Sequence, residues 1–296
     1  MSLNIKKILF PTDFDMFGQR AAGNVLELAR QFNCEVFVMH AIESPNAMMR
    51  MLGLKTEEDV RKKADKMMDD YIAELDSSVH DVHFEKIIKV GKPWKTIVDA
   101  ANEVHADMII FGTKGGSGLD DTILGSNANF VIRHANCPVI TIRETPDHVG
   151  FKKILLPIDL SKETAEKVQW GIVFAKIFGS ELDVLCIDES TDEKEQFKLR
   201  SRMEKTIGHI HNVGITNVRS ETLNAKGNVS KQVIDYAEKH KNDLIAIMTH
   251  LSADEKSAHI MGTTADQIVN HSRIPIISIR PVKLYHHRDW DSAIFS

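Results

Sequence analysis

The chain has 296 residues, 43% of them apolar and 27% charged, a composition typical of globular proteins and a length that suits two domains of about 150 residues. Its formal net charge of −5 argues against a nucleic-acid partner, because there is no excess of Lys and Arg to neutralise phosphates. No apolar run reaches membrane-spanning length and the start MSLNIKK has no signal-peptide core, so we expect a cytoplasmic protein without a membrane partner.

In chain order, the first half alternates short apolar runs with segments of helical period. The run ILFPTD predicts a strand, and apolar residues at helical spacing over 21–32 predict a helix after it. CEVFVMHAI predicts a second strand, followed by a charged helix over about 57–75. VHFEKIIKVG predicts a third strand, and Pro93 is well placed in the first turn of the next helix. ADMIIFGT, a helix over about 125–134 and the strand CPVITIR complete this half.

The second half repeats the first. IKKILFPTDF recurs as FKKILLPIDL, and the closing strand CPVITIR recurs as IPIISIR. This duplication predicts domains at 1–146 and 151–282, with a tail at 283–296. Strands that are apolar at consecutive positions and alternate with helices predict a parallel sheet covered on both faces. The predicted fold class is therefore α/β, with two tandem doubly wound, Rossmann-like domains.

Two features of the first half fall at the carboxyl ends of predicted strands, where open α/β sheets bind ligands. Pro11, Thr12 and Asp13 end the first strand, and the glycine-rich segment that begins at Gly112 ends the fourth. If both contact one ligand, the first and fourth strands must be neighbours. This requirement predicts the strand order 3-2-1-4-5.

The glycine-rich segment has the features of a phosphate-binding loop. Gly112 and Gly115 would permit close backbone approach and positive φ, and Lys114 would supply a cation. The next helix opens near Gly125, where unpaired amides and the helix dipole favour an anion and where Ser126 could cap the helix or donate its hydroxyl. A flexible connector is the alternative interpretation of this segment, as an ordinary turn is for the first strand end.

The spacing G-x2-G-x9-G-S, together with PTD, VGKP and CPVITIR, resembles the universal stress protein family over nearly the whole chain, once per half. The resemblance implies an adenine-nucleotide alpha hydrolase-like fold and a bound ATP with Mg²⁺, in which Asp13 holds the ribose or lies near the metal. It also implies pairing of the two domains through their last strands within one chain, and it leaves a homodimer open. The implied ATP-binding residues are Pro11, Thr12, Asp13, Ala41, Gly112, Lys114, Gly115, Gly125, Ser126 and Asn127.

The second half departs from this pattern. Met248 and Leu251 stand where the first half has glycines, and the loop between them and Gly262 carries Asp254 and Glu255. Side chains and carboxylates there would crowd and repel a triphosphate. We therefore expect one competent ATP site per chain, although a degenerate or differently occupied second pocket stays open.

Three functions are compatible with these residues. The first is an ATP-binding stress protein in which nucleotide occupancy sets conformation or partner choice. The second is a slow ATPase or nucleotidyl-transfer enzyme on the same fold, and the third is an interaction protein that needs no nucleotide. The sequence contains no assembled catalytic set next to the phosphate loop, so we favour binding over turnover.

Overall fold

The structure is a computed structural model that describes residues 5–43, 57–79, 81–113, 124–143, 148–160, 164–249 and 263–280. The chain divides into two compact units, Asn4–Val149 and a second unit that starts at Gly150. Within the described ranges, no helix combines the length and the apolar character needed to cross a membrane.

The first unit is a five-stranded parallel sheet with helices in the connections. Its strands run in the order β3-β2-β1-β4-β5, which confirms the order 3-2-1-4-5 predicted from the two strand ends. The described elements are β1 (Lys7–Pro11), α1 (Met16–Phe32), β2 (Glu35–Ile42), α2 (Glu57–Ser78), β3 (Phe84–Val90), α3 (Pro93–Val104), β4 (Met108–Gly112), α4 (Ser126–His134) and β5 (Val139–Ile142).

The second unit repeats this topology, with its strands in the order β8-β7-β6-β9-β10. All of its strand pairs are parallel, as in the first unit. Its described elements are β6 (Lys153–Ile158), α5 (Thr164–Phe178), β7 (Glu181–Asp188), α6 (Glu193–Asn212), β8 (Val218–Asn224), α7 (Val229–His240), β9 (Leu244–Met248), α8 (Thr263–His271) and β10 (Ile276–Ile279).

The central strands form the core of each unit. Ile8, Leu9 and Phe10 are consecutive in β1, so their side chains alternate between the two faces of the sheet, and none is exposed to solvent. Such strands are stable only where both faces are covered, which is why the sequence shows apolar runs without alternation.

The strand order positions the candidate site. β1 pairs with β4, with Ile8 opposite Met108 and Leu9 opposite Ile109. Because the two strands are parallel, Pro11 at the end of β1 and Gly112 at the end of β4 reach the same edge of the sheet. Seven of the predicted ligand residues border a cavity at this edge.

Candidate functional site

A cavity of about 220 Å³ lies at the carboxyl ends of β1 and β4 in the first unit. Seven of the predicted ligand residues line it, namely Pro11, Thr12, Asp13, Ala41, Gly112, Gly125 and Asn127. The sequence prediction missed nine further lining residues, which are Asp15, Gly18, Met39, Pro93, Ile97, Phe111, Thr113, Ala128 and Val131.

The other three predicted residues do not line the cavity. Ser126 is exposed at the start of α4 and is absent from the lining. Lys114 and Gly115 lie outside the described residues. Their role therefore stays a prediction.

The chain after β1 is held by hydrogen bonds to the neighbouring strand. The backbone N–H of Thr12 donates to the carbonyl of Met39 at 2.8 Å, and the Thr12 hydroxyl accepts from the N–H of Phe14 at 3.1 Å. Nδ1 of His40 lies 2.8 Å from the Thr12 carbonyl, and since a carbonyl only accepts, Nδ1 must carry the proton. Phe14 adopts the left-handed conformation with φ of 58°, an uncommon state for a bulky residue. His40 and Thr12 thus fix the turn that presents Asp13.

Asp13 is a solvent-facing carboxylate of the cavity. Its side chain is 81% exposed, and its Oδ1 lies 3.6 Å from Nδ1 of His40. Desolvation raises the pKa of Asp13, while the nearby His40 opposes that rise and Asp15 adds to it. Screening by water limits the shift at so exposed a position. Asp13 therefore offers carboxylate oxygens that hydroxyl groups or a hydrated cation can reach.

Asp15 is the N-cap of α1, a role that the sequence analysis did not assign. Its Oδ1 accepts from the N–H groups of Phe17 and Gly18 at 3.0 and 2.9 Å. The sequence analysis placed this helix over 21–32, whereas α1 begins at Met16, directly after Asp15, and Asp is among the most favoured N-cap residues. Asp15 also lines the cavity, but its Oδ1 is engaged by the start of α1.

The sequence analysis expects Gly112 to permit close backbone approach and a positive φ, and the structure shows the close approach. Gly112 is not among the glycines with positive φ; its requirement is steric. A Cβ at this position would lie 1.8 Å from the carbonyl oxygen of Phe17 in the first turn of α1. The absence of a side chain at Gly112 lets α1 begin directly against the end of β4.

Of the two roles that the sequence analysis offers for Ser126, helix cap or hydroxyl donor, the structure excludes the first, and the second stays a prediction. The N-cap is Gly125, with φ of −59° and ψ of 150°, and no side chain of the described residues caps the helix. A Cβ added at Gly125 would meet no atom within 4 Å among the described residues, so the space before the helix is open. The first amides of α4 therefore border the cavity without a side-chain acceptor, and the helix dipole favours an anion there.

The cavity thus combines three chemical surfaces. The N-terminus of α4 suits an anion, and Asp13 suits hydroxyl groups or a cation. Buried side chains of Met39, Ile97 and Val131 supply apolar walls. Such a combination suits a ligand with a phosphate, a sugar and a flat apolar base.

A magnesium ion that accompanies phosphates typically needs only one or two protein carboxylates. Asp13 fits that requirement at the edge of the cavity. Among the described residues, no group of three or more His, Cys, Asp or Glu side chains could hold a metal ion without a ligand's help.

The second unit differs at the corresponding positions. The buried side chain of Met248 ends β9 where Gly112 ends β4. Asp159, the counterpart of Asp13, accepts a hydrogen bond at 2.8 Å from the hydroxyl of Thr164 in α5. Burial lowers the pKa of Arg202, and the charge of Asp159 opposes that shift. The strand-end carboxylate of this unit is thus engaged by its own fold, while Leu251, Asp254, Glu255 and Gly262 lie outside the described residues.

Comparison with known proteins gives a consistent result. The model of the universal stress protein family matches residues 4–143 and again 150–280. Universal stress protein MJ0531 of Methanocaldococcus jannaschii is 30% identical over 149 residues, which cover 47% of this chain and 82% of that protein. Universal stress protein MJ0577 of the same organism is 29% identical over 158 residues, 48% of this chain and 98% of its own length.

A solved structure extends the likeness to both halves. The crystal structure of a universal stress protein from Archaeoglobus fulgidus superposes with a TM-score of 0.74 and 18% identity. The match covers 94% of this chain and 97% of that one. At this identity the likeness shows the fold alone.

Proposed function

Because this chain belongs to the universal stress protein family, we propose that its first unit binds an adenine nucleotide, ATP with Mg²⁺, in the cavity at the ends of β1 and β4. Occupancy of the cavity sets the conformation of the unit or its choice of partner. The second unit is a structural copy that does not bind the nucleotide.

One observation carries the proposal. Three segments separated in sequence border a single cavity, through Pro11–Asp13, through Gly112, and through Gly125 and Asn127. These are the segments that the family's ATP-binding pattern implies. A match to the pattern in sequence does not by itself require the three segments to lie close together in the fold. That they border one cavity therefore supports a common ligand.

We assign each part of the nucleotide to the surface of the cavity that suits its chemistry. The phosphates lie at the N-terminus of α4, where the uncapped amides favour negative charge. Asp13 accepts from the ribose hydroxyls or contacts the hydrated metal. The adenine ring lies between Ala41 and the apolar walls of the cavity.

Binding is favoured over turnover by the same groups. Amides and a helix dipole stabilise the ground state of a bound triphosphate, whereas hydrolysis needs a group that positions water and extra charge in the transition state. Of the two carboxylates in the described lining, Asp15 caps α1. We expect ATP turnover below about one per minute, far under the roughly 1 to 1,000 per second of typical enzymes.

Calorimetric titration of the full chain with ATP and Mg²⁺ tests the proposal, together with mass spectrometry of any nucleotide released by denaturing the purified protein. We expect one site per chain. Two equal sites would contradict the assignment of the second unit, and the absence of any adenine-nucleotide binding would refute the proposal. An ATPase rate above about one per second, lost in Asp13→Asn with binding intact, would instead place the protein among enzymes.

Asp13→Ala separates the two roles proposed for this carboxylate. If Asp13 holds the ribose, affinities for ATP and AMP should fall alike, and the preference for ATP over 2′-deoxyATP should shrink. If Asp13 acts through the metal, ATP affinity should fall while AMP affinity changes little. The matched variant Asp159→Ala in the second unit should leave both affinities unchanged.

A further inference from the structure

Thr113 directly follows β4 and lines the cavity of the first unit, and only 5% of its surface is exposed. Its backbone N–H donates to the carbonyl of Ile142 in the adjacent strand at 2.9 Å. Its hydroxyl, by contrast, is buried and has no hydrogen-bond partner among the described residues. Buried polar groups are nearly always paired, so an unpaired hydroxyl at the wall of a cavity requires an explanation.

The second unit contains the same residue type at the same place. Thr249 directly follows β9, is 4% exposed, and donates its backbone N–H to the carbonyl of Ile279 at 2.8 Å. The Thr249 hydroxyl also donates to that carbonyl, at 3.3 Å. The fold can therefore satisfy a threonine hydroxyl at this position from its own backbone.

The first unit has the equivalent acceptor, but the threonine hydroxyl does not donate to it. The carbonyl of Ile142 stands beside Thr113 as that of Ile279 stands beside Thr249, yet the Thr113 hydroxyl makes no bond to it. The difference between the two threonines lies in the hydroxyl alone. It occurs in the unit whose cavity carries the intact nucleotide-binding pattern.

We propose that the Thr113 hydroxyl is a ligand of the bound nucleotide and hydrogen-bonds to its ribose–phosphate part. This inference rests on the proposed function of the same cavity. Thr113 lies between Gly112 and the rest of the glycine-rich segment, which places it with the phosphates rather than the base. A threonine hydroxyl can donate to a phosphate oxygen or accept from a ribose hydroxyl, and rotation about χ1 exchanges it with the methyl group. The bound nucleotide supplies the hydrogen-bond partner that the Thr113 hydroxyl lacks among the described residues.

Thr113→Val tests this inference because valine keeps the shape of threonine and removes the hydroxyl. In the full chain we expect ATP affinity, measured by calorimetry with Mg²⁺, to fall about tenfold, the loss of one good hydrogen bond. The urea midpoint of the nucleotide-free protein should stay equal or rise, because an unsatisfied buried group has been removed. Thr113→Ser, which keeps the hydroxyl, should bind ATP within about threefold of the wild type.

Thr249→Val is the matched control. It removes a hydroxyl that is already bonded, so the nucleotide-free midpoint should fall while ATP affinity stays unchanged. A Thr113→Val protein that binds ATP like the wild type would overturn the inference and leave the proposed function intact. A Thr113→Val protein that is destabilised or unfolded would assign the hydroxyl to the fold and overturn it as well. A wild-type chain that binds no ATP would refute both this inference and the proposed function.

Discussion

Gly112 belongs both to the nucleotide-binding pattern and to the packing of the first unit, and Gly112→Ala separates these roles. The added Cβ would lie 1.8 Å from the carbonyl oxygen of Phe17, about 1.2 Å short of the 3.0 Å that real Cβ contacts respect. That oxygen belongs to the backbone of the first turn of α1, so no side-chain rotation can relieve the clash. The start of α1 must move away from β4.

The magnitude follows from the kind of atom that must move. Forcing extra volume into a packed site costs about 1–3 kcal/mol, and a backbone obstacle favours the upper end. Alanine also lowers the conformational entropy of the unfolded chain, which stabilises the folded state by about 0.4–1 kcal/mol. A net loss of about 2 kcal/mol should lower Tm by about 4–8 °C for a unit of this size.

Gly125→Ala is the matched control, because its Cβ would meet nothing within 4 Å and its φ of −59° suits alanine. The lower entropy of the unfolded chain stabilises the variant, while alanine is a poorer N-cap than glycine. The two effects offset each other, so Tm should stay within about 2 °C of the wild type. The methyl group intrudes on the cavity, however, and ATP affinity should fall about fivefold, or about 1 kcal/mol.

Differential scanning calorimetry and ATP titration of both variants decide the matter. We expect Gly112→Ala to lose stability in the nucleotide-free protein, and Gly125→Ala to lose ATP affinity at unchanged stability. A Gly112→Ala protein with the wild-type Tm would refute the steric argument. It would show that α1 can move away from β4 at little cost.

Three further predictions concern neighbouring groups. Asp15→Ala should lower the free energy of unfolding, measured in urea titrations, by about 1 kcal/mol because α1 loses its N-cap. Asp15→Ser should keep most of that stability, since serine also caps helices. Equal losses in the two variants would argue against capping. His40→Phe should weaken ATP binding and lower the urea midpoint, since it removes the donor to the Thr12 carbonyl, and unchanged values for both would show that the turn holds itself. Burial raises the pKa of the Cys34, Cys137 and Cys186 thiols from 9.0 to about 12. At pH 8 a disulfide reagent should therefore react with the native chain about a thousandfold more slowly than with ordinary thiols, because so little thiolate is present. The reaction should speed up as the pH rises and be immediate in urea, and a rapid reaction of the native chain would contradict this prediction.

The sequence alone determined the architecture, because the signals for it are local. Apolar runs at consecutive positions define parallel strands, and the repeat of KKILFPTDF as KKILLPIDL defines two copies. The strand order followed from one further assumption, that the segments at Pro11 and Gly112 share a ligand. The structure has β1 beside β4, as this assumption requires.

The tertiary structure decided what each residue at the site does, because a hydrogen-bond partner or a steric neighbour depends on distances that no local pattern encodes. The oxygen that obliges position 112 to be glycine belongs to Phe17, on a different helix. The group that holds Thr12 is His40, from the next strand. Thr113 and Thr249 are the same residue type at the same point of the same fold, yet only the hydroxyl of Thr249 donates to its neighbouring carbonyl. Sequence periodicity cannot distinguish the two, since a bond is made or lost by less than 1 Å and one rotation about χ1.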